Sequence, residues 1–250
     1  MSKVINDLVG YDKLKIVQDS DYFNFSLESI LLPRFCILKK SGMKILDICT
    51  GNAPIPLVIK EFTDSEIVAV EIQKEVYDLA KETLSINNLT DKIKLLNMDA
   101  KDIFNYYPTD SFDLITCNPP YFKYNDSSNI NDNHIKSIAR HEITINLDDI
   151  ALIARKLLKN SGSLCMVHRT DRLSEIIRVL HDNNLEVKRL QLIYPKENEE
   201  SNLVLIDARK NGSVGLKVLK PLICHNEDGS YTKEVLEAFE RWYYVAEKLW

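Results

Sequence analysis

The sequence predicts an α/β fold: a doubly wound, seven-stranded, mostly parallel sheet with an antiparallel hairpin at one edge. Three observations predict it. From about residue 43, short β-rich runs alternate with amphipathic stretches, the pattern of parallel strands joined by crossover helices. The first run passes into a glycine turn and a proline, Gly51-Asn52-Ala53-Pro54, as a strand does when it feeds a helix at the ligand edge of such a sheet. Two apolar runs near 186–194 and 202–210 follow each other with no helical stretch between them, so they return as a hairpin.

Each element has its own signal. Met43 to Cys49 reads as a buried strand, and Pro54 to Phe62 as a helix opening on proline, where the missing N–H has no partner to lose. Glu66 to Glu71 is the second strand, Gln73 to Asn87 a helix, Lys92 to Asn97 the third strand and Phe112 to Asn118 the fourth. Helix Leu147 to Leu158, strand Gly162 to His168 and helix Arg172 to Asn183 complete the alternation. Residues 1–42, with Tyr11, Tyr22, Phe23, Phe25 and Phe35, read as a cap across the ligand end of a domain spanning 43–220. Residues 221–250 read as a C-terminal extension, helical from Val235. The polar stretch 123–141 is too long for a casual connection and reads as a lid.

Composition narrows the class. With 45% hydrophobic and 28% charged residues over 250 positions, the chain buries a full core without staples. Its five cysteines are far apart and none stands in a C-x-x-C pair, so they read as buried apolar groups in a reducing cytosol and no metal is expected. The first residues lack the apolar stretch of a signal peptide, and no window approaches a membrane span; the expectation is a cytoplasmic protein. The net charge of −5 hides an asymmetry, because residues 151–220 hold 13 Lys and Arg against 8 Asp and Glu. That leaves room for a basic patch facing nucleic acid.

The chemistry gathers at the strand ends. A dinucleotide site wants G-x-G-x-x-G, but here only Gly51 is present, with Ala53 and Pro56 at the later glycine positions. A phosphate-free ligand such as S-adenosylmethionine fits that turn better, with Asp47 holding its amino acid portion directly or through water. The other reading of Asp47 is a carboxylate satisfying loop amides. Glu71, followed by Ile72 and about 20 residues after the turn, reads as acceptor for two ribose hydroxyls or as an exposed helix N-cap. Asp99, followed by Ala100, reads as acceptor for an adenine amino group or as the cap of a short helix. The fourth strand ends in Asn118-Pro119-Pro120-Tyr121-Phe122. Both prolines lack an N–H and fix φ, so an amide, free carbonyls and flat rings are held together. That constellation suits the grip of an amino group on a planar ring.

This arrangement resembles the class I S-adenosylmethionine-dependent methyltransferases, which have a Rossmann-like sheet, and Asn118-Pro119-Pro120-Tyr121 matches the N-P-P-[YF] motif of their amino-methylating branch. Gln18, the segment Tyr22 to Leu32, Asp47 to Asn52, Ala139-Arg140-His141-Glu142 and Asn226 to Thr232 further resemble the bacterial tRNA1(Val) adenine-37 N6-methyltransferase family over about residues 10–235. Two positions depart from it: Ala53 replaces the usual glycine, and Glu28 the usual Asp. The resemblance implies a cofactor held by Asp47, Thr50, Gly51, Asn52, Glu71, Ile72, Asp99 and Ala100, with Asn118 shared between cofactor and substrate. It implies that the Asn118 side-chain oxygen and the Pro119 carbonyl accept the two amino hydrogens of an adenine in a tRNA anticodon loop, Pro120 stiffening the turn and Tyr121 stacking on the ring. Tyr121, Phe122, Tyr124 and Arg140 would meet the RNA. Competing readings are a protein-glutamine N5-methyltransferase, disfavoured by the 42 residues before Met43, a non-catalytic RNA-binding protein on the same fold, and, remotely, a nicotinamide dehydrogenase.

Overall fold

The computed structural model describes residues 3–19, 26–121 and 145–240. A hairpin opens the chain, β1 (Lys3–Leu8) and β2 (Tyr11–Asp19), followed by α1 (Glu28–Phe35). The alternation then runs β3 (Lys44–Ile48), α2 (Pro54–Lys60), β4 (Glu66–Glu71), α3 (Lys74–Ile86), β5 (Ile93–Asn97), a short 3₁₀ turn (Ala100–Asn105) and β6 (Phe112–Cys117). After α4 (Leu147–Leu157) come β7 (Leu158–Arg169), α5 (Leu173–Asp182), β8 (Leu185–Tyr194), β9 (Leu203–Lys210), β10 (Lys217–Val218), β11 (Leu222–Ile223) and α6 (Lys233–Glu240).

The strands form one sheet in the order β10-β8-β9-β7-β6-β3-β4-β5, with β11 also on β8. Only β9 runs antiparallel to its neighbours. The predicted mixed sheet with an edge hairpin, β8–β9, is therefore present. The expected count of seven is corrected to nine, because β10 and β11 hold two residues each and leave no periodicity to read. Residues 11–19 lie within the expected cap segment. They form the strand of a hairpin that lies along α3, where the Val17 N–H donates to Thr83 Oγ1 (3.0 Å) and Asn87 Nδ2 to the Lys15 carbonyl (2.7 Å). The first five residues of β1 are all exposed, so no alternation marked this hairpin as a strand pair. Residues 20–25 of the expected cap and most of the tail, residues 241–250, lie outside the described residues, as does the segment 122–144.

Alternation of side chains along the strands builds two cores. Ile45, Ile67, Ala69 and Leu114 face one cluster with Ile30 of α1, Leu57 of α2 and Ala80 of α3. Leu46, Val68 and Ile115 face the other, with Ile103, Ile150 of α4 and Ile176 of α5. Both faces are covered, which is why these strands read as continuous apolar runs. At the start of α4, Asn146 and Asp149 form a reciprocal capping box.

A buried ion pair joins the edge hairpin to α1. Arg189 Nε donates to Asp207 Oδ2 at 2.8 Å, and its guanidinium also donates to the Phe35 carbonyl (2.9 Å) and lies 4.6 Å from the Phe35 ring. Asp207 is 1% exposed. Removing one partner strands the other in low dielectric, so Asp207→Ala is expected to cost about 3–5 kcal/mol in urea unfolding, whereas the double replacement Arg189→Met with Asp207→Leu costs much less. Equal losses for the single and double variants would contradict this account.

Candidate active site

The parallel strands end together, and their carboxyl ends carry the predicted residues. Asp47, on β3, is fully buried and accepts from Thr116 Oγ1 at 2.6 Å. The two stand side by side because Asp47 pairs in register with Thr116 on β6, which directs both side chains to one face. The second carboxylate oxygen of Asp47 is buried without a partner among the described residues. Burial pushes the Asp47 pKa up to about 7, opposed by the bond from Thr116 and the nearby Thr50 hydroxyl and reinforced by the Glu71 carboxylate.

The turn after β3 is unusually contorted. Cys49, Gly51 and Ala53 all have positive φ, at 59°, 60° and 70°. An L side chain resists this conformation, and Ala53, at the position of the expected glycine, adopts it nonetheless. The Thr50 N–H donates to the Val70 carbonyl (3.0 Å), which hangs the turn from β4. A Cβ added at Gly51 would meet nothing within 4 Å, so the turn faces open space. Asn52 donates through Nδ2 to the Val17 carbonyl at 2.9 Å, tying the turn to the N-terminal hairpin.

Glu71 is 5% exposed, and both of its oxygens serve the backbone. Oε2 accepts from the Gly51 N–H and Oε1 from the Gln73 N–H, each at 2.9 Å. Burial raises its pKa, and these backbone donors oppose the rise. The exposed N-cap reading of Glu71 is thereby excluded. Ile72, beside it, is 38% exposed. Asp99 caps the 3₁₀ turn, its Oδ1 accepting from the Lys101 N–H at 2.9 Å, and Ala100 is buried behind it. Asn97 braces this corner by donating to the Glu71 and Ile72 carbonyls (2.8 and 3.1 Å).

After β6, Pro119 and Pro120 are buried while Asn118 and Tyr121 are half-buried. Asn118 Nδ2 donates to Ser29 Oγ in the first turn of α1 (3.3 Å), and its Oδ1 accepts from the Tyr121 hydroxyl. Burial first, then the Glu28 carboxylate, holds that hydroxyl protonated well above the ordinary tyrosine range. The Tyr121 ring lies against His168 of β7, with centroids 5.4 Å apart, and its carbonyl accepts from Arg172 Nη1 at 3.2 Å. The amide plane of Asn118 is thus held from two sides, and one lone pair of Oδ1 remains for a further donor.

Gly51 and Glu71 are bonded to each other and Asp47 lies near the end of the strand that feeds the same turn, while Asn118, Pro119, Pro120 and Tyr121 form the loop after β6. Phe122, Tyr124, Arg140 and His141 lie outside the described residues. Sequence reading missed Ser29, Asn97 and Arg172. Ser29 touches a residue 89 positions away, so no local pattern reveals it.

Residues 39–238 match the sequence model of a family described as a methyltransferase domain. The chain is 24% identical over 238 residues to a tRNA1(Val) (adenine(37)-N6)-methyltransferase of Cytophaga hutchinsonii, covering 95% of this chain and 98% of that protein. It is 27% identical over 240 residues to the protein of the same description from Bacteroides thetaiotaomicron, again covering 95% and 98%. Among solved structures, a predicted O-methyltransferase of Agrobacterium tumefaciens superposes with a TM-score of 0.67 at 18% identity, covering 85% of this chain and 95% of that one, a likeness of fold.

Asp47 generates a pH signature. With its pKa at about 7 in the folded protein and near 3.9 unfolded, the folded state binds the extra proton between those values. Its contribution to stability is full below about pH 4 and is lost as pH rises through 7. Asp47→Asn removes this term, so its stability relative to the parent protein, measured by urea unfolding without ligand, should improve by roughly 2–3 kcal/mol from pH 5 to pH 8. Parallel pH profiles would count against the buried carboxyl.

Proposed function

Because the chain belongs to the methyltransferase domain family, we propose that it transfers a methyl group from S-adenosylmethionine to the exocyclic N6 of an adenine in tRNA, at position 37 of the anticodon loop. One observation carries this reading: the Asn118 amide is held by Ser29 and Tyr121 in a double-proline loop at the sheet edge that also presents the Asp47 turn. The near end-to-end match to relatives described as tRNA1(Val) (adenine(37)-N6)-methyltransferases supports the choice of substrate.

The residues present fit the cofactor. The unpartnered oxygen of Asp47 suits a cationic amino acid group, and a cation there would draw its pKa back down. The open space over Gly51 leaves room for a ligand without phosphates, and the Glu71 carboxylate, bonded to the N–H of that same turn, suits the ribose hydroxyls. Asp99, Ala100 and the exposed face of Ile72 would border the adenine. When bound, the cofactor supplies an electrophilic methyl on a sulfonium.

The chain's own contribution is positioning. An exocyclic adenine nitrogen is a poor nucleophile because its lone pair is delocalised into the ring. Asn118 Oδ1 and the Pro119 carbonyl accept its two hydrogens, which favours tetrahedral nitrogen and aims the lone pair. The Tyr121 hydroxyl, donating to Asn118 Oδ1, orients that acceptor, and the Tyr121 ring receives the base. No strong general base is required, because methylation leaves the nitrogen cationic and acidic, and one of its two hydrogens then passes to water as a proton. Phe122 and Arg140 would complete the RNA contacts.

The test is incubation with labelled cofactor and unmodified tRNA, followed by digestion to nucleosides. N6-methyladenosine is the expected product, and its absence across the tRNA pool would sink the proposal. Asn118→Ala is expected to bind cofactor within a few-fold of the parent protein while losing methylation by at least about a hundredfold, about 2.7 kcal/mol of transition-state stabilisation. Near-normal turnover by this variant would remove Asn118 from the mechanism.

A further inference from the structure

His168 is a buried titratable group that the reaction outlined above does not use. It lies near the end of β7, two residues beyond Met166, which pairs with Cys117 of β6. That register sets His168 level with the start of the Asn118 loop. The side chain is 1% exposed, and its ring is tilted 56° against Tyr121. Nδ1 accepts the Arg169 backbone N–H at 2.8 Å, so a neutral ring carries its proton on Nε2. Nε2 is itself buried and has no partner among the described residues. Burial, together with the adjacent Arg172 guanidinium, lowers the pKa to about 4, which keeps the ring neutral at ordinary pH. A buried donor without an acceptor is costly and rare in native folds, and this one lies beside the tyrosine assigned to receive the base.

We propose that His168 is a specificity residue, its Nε2–H donating to an unprotonated ring nitrogen of the target purine. The inference rests on reading this site as an adenine N6-methylating centre. Adenine N1, next to C6, is an acceptor whereas guanine bears a hydrogen there, while N7 accepts in both bases, so a fixed donor facing N1 distinguishes amino-purine from oxo-purine. A base brought onto Tyr121 arrives next to the ring that holds this donor. Being neutral, the imidazole adds no charge opposed to a cationic cofactor.

Two reciprocal variants test the donor. His168→Gln places an N–H near the position of Nε2 but removes the acceptor for Arg169. His168→Asn places an oxygen near the position of Nδ1, keeping that acceptor, but removes the donor. Methylation of unmodified tRNA, cofactor affinity by calorimetry and Tm are measured for both. The expected result is kcat/KM within about threefold of the parent for Gln and a loss of at least about tenfold for Asn, with cofactor affinity and Tm unchanged for Asn. A parent-like Asn variant, or a Gln variant that loses as much as Asn, overturns the inference while leaving the methylation reading intact. Absence of N6-methyladenosine from the parent protein itself overturns the reading beneath it, and the inference falls with it.

Discussion

The register of the parallel strands is the constraint on which the rest of the molecule depends. Asp47 is paired with Ala69 and Thr116, Glu71 with Asn97, and Cys117 with Met166. Because side chains alternate faces, a slip of one residue between β3 and β6 would turn Asp47 away from Thr116, and a slip in any ladder would turn a strand's apolar set toward the wrong core. The apolar runs enforce the register, since each face must meet its own set of helices. The placement of polar residues at the carboxyl edge follows from that demand, not from any attraction among the polar residues themselves.

At that edge, acidic groups hold the backbone before they hold anything else. Glu71 binds two N–H groups of neighbouring turns and Asp99 caps the 3₁₀ turn. These bonds keep the turns rigid before a ligand arrives, which reduces the ordering that binding must otherwise impose. The Asn118 loop is treated similarly: Ser29 and Tyr121 take its amide, and Arg172 the Tyr121 carbonyl. Helix α1 contributes at both ends, its first turn to Asn118 and its last residue to Arg189, so the edge hairpin and the site share one rigid connection.

Much of this was legible in the sequence, for identifiable reasons. The alternation of Met43–Cys49, Glu66–Glu71 and Phe112–Asn118 with amphipathic stretches marked the sheet, and the returning pair near 186–210 marked its antiparallel edge. Helix α4, read as Leu147 to Leu158, is observed as Leu147–Leu157. Asp47, Glu71, Asp99 and Asn118 were visible because strand ends are sites where polar residues interrupt apolar runs. The hairpin β1–β2 was not visible, because its first strand shows no buried alternation. Ser29, Asn97 and Arg172 act through contacts set by the tertiary fold, and a serine in the first turn of a helix looks ordinary until Asn118 is placed against it. The sequence also left Asp99 open between two uses. Its Oδ1 accepts from the Lys101 N–H and its Oδ2 lies 3.4 Å from the Lys101 ammonium, which shows the capping use.

The two smallest strands bear on how the molecule behaves among copies of itself. β10 and β11 run along the outer side of β8, with Leu219, Lys220 and the ring of Pro221 between them. A sheet edge is a template for further strands, and proteins blunt it with short strands, proline and lysine. Here the long strand β8 is shielded by a broken border too short and too interrupted to recruit another chain. The opposite border, β5, is five residues long and carries Lys94. At high protein concentration, these borders give a nine-stranded sheet little opportunity to grow into an aggregate.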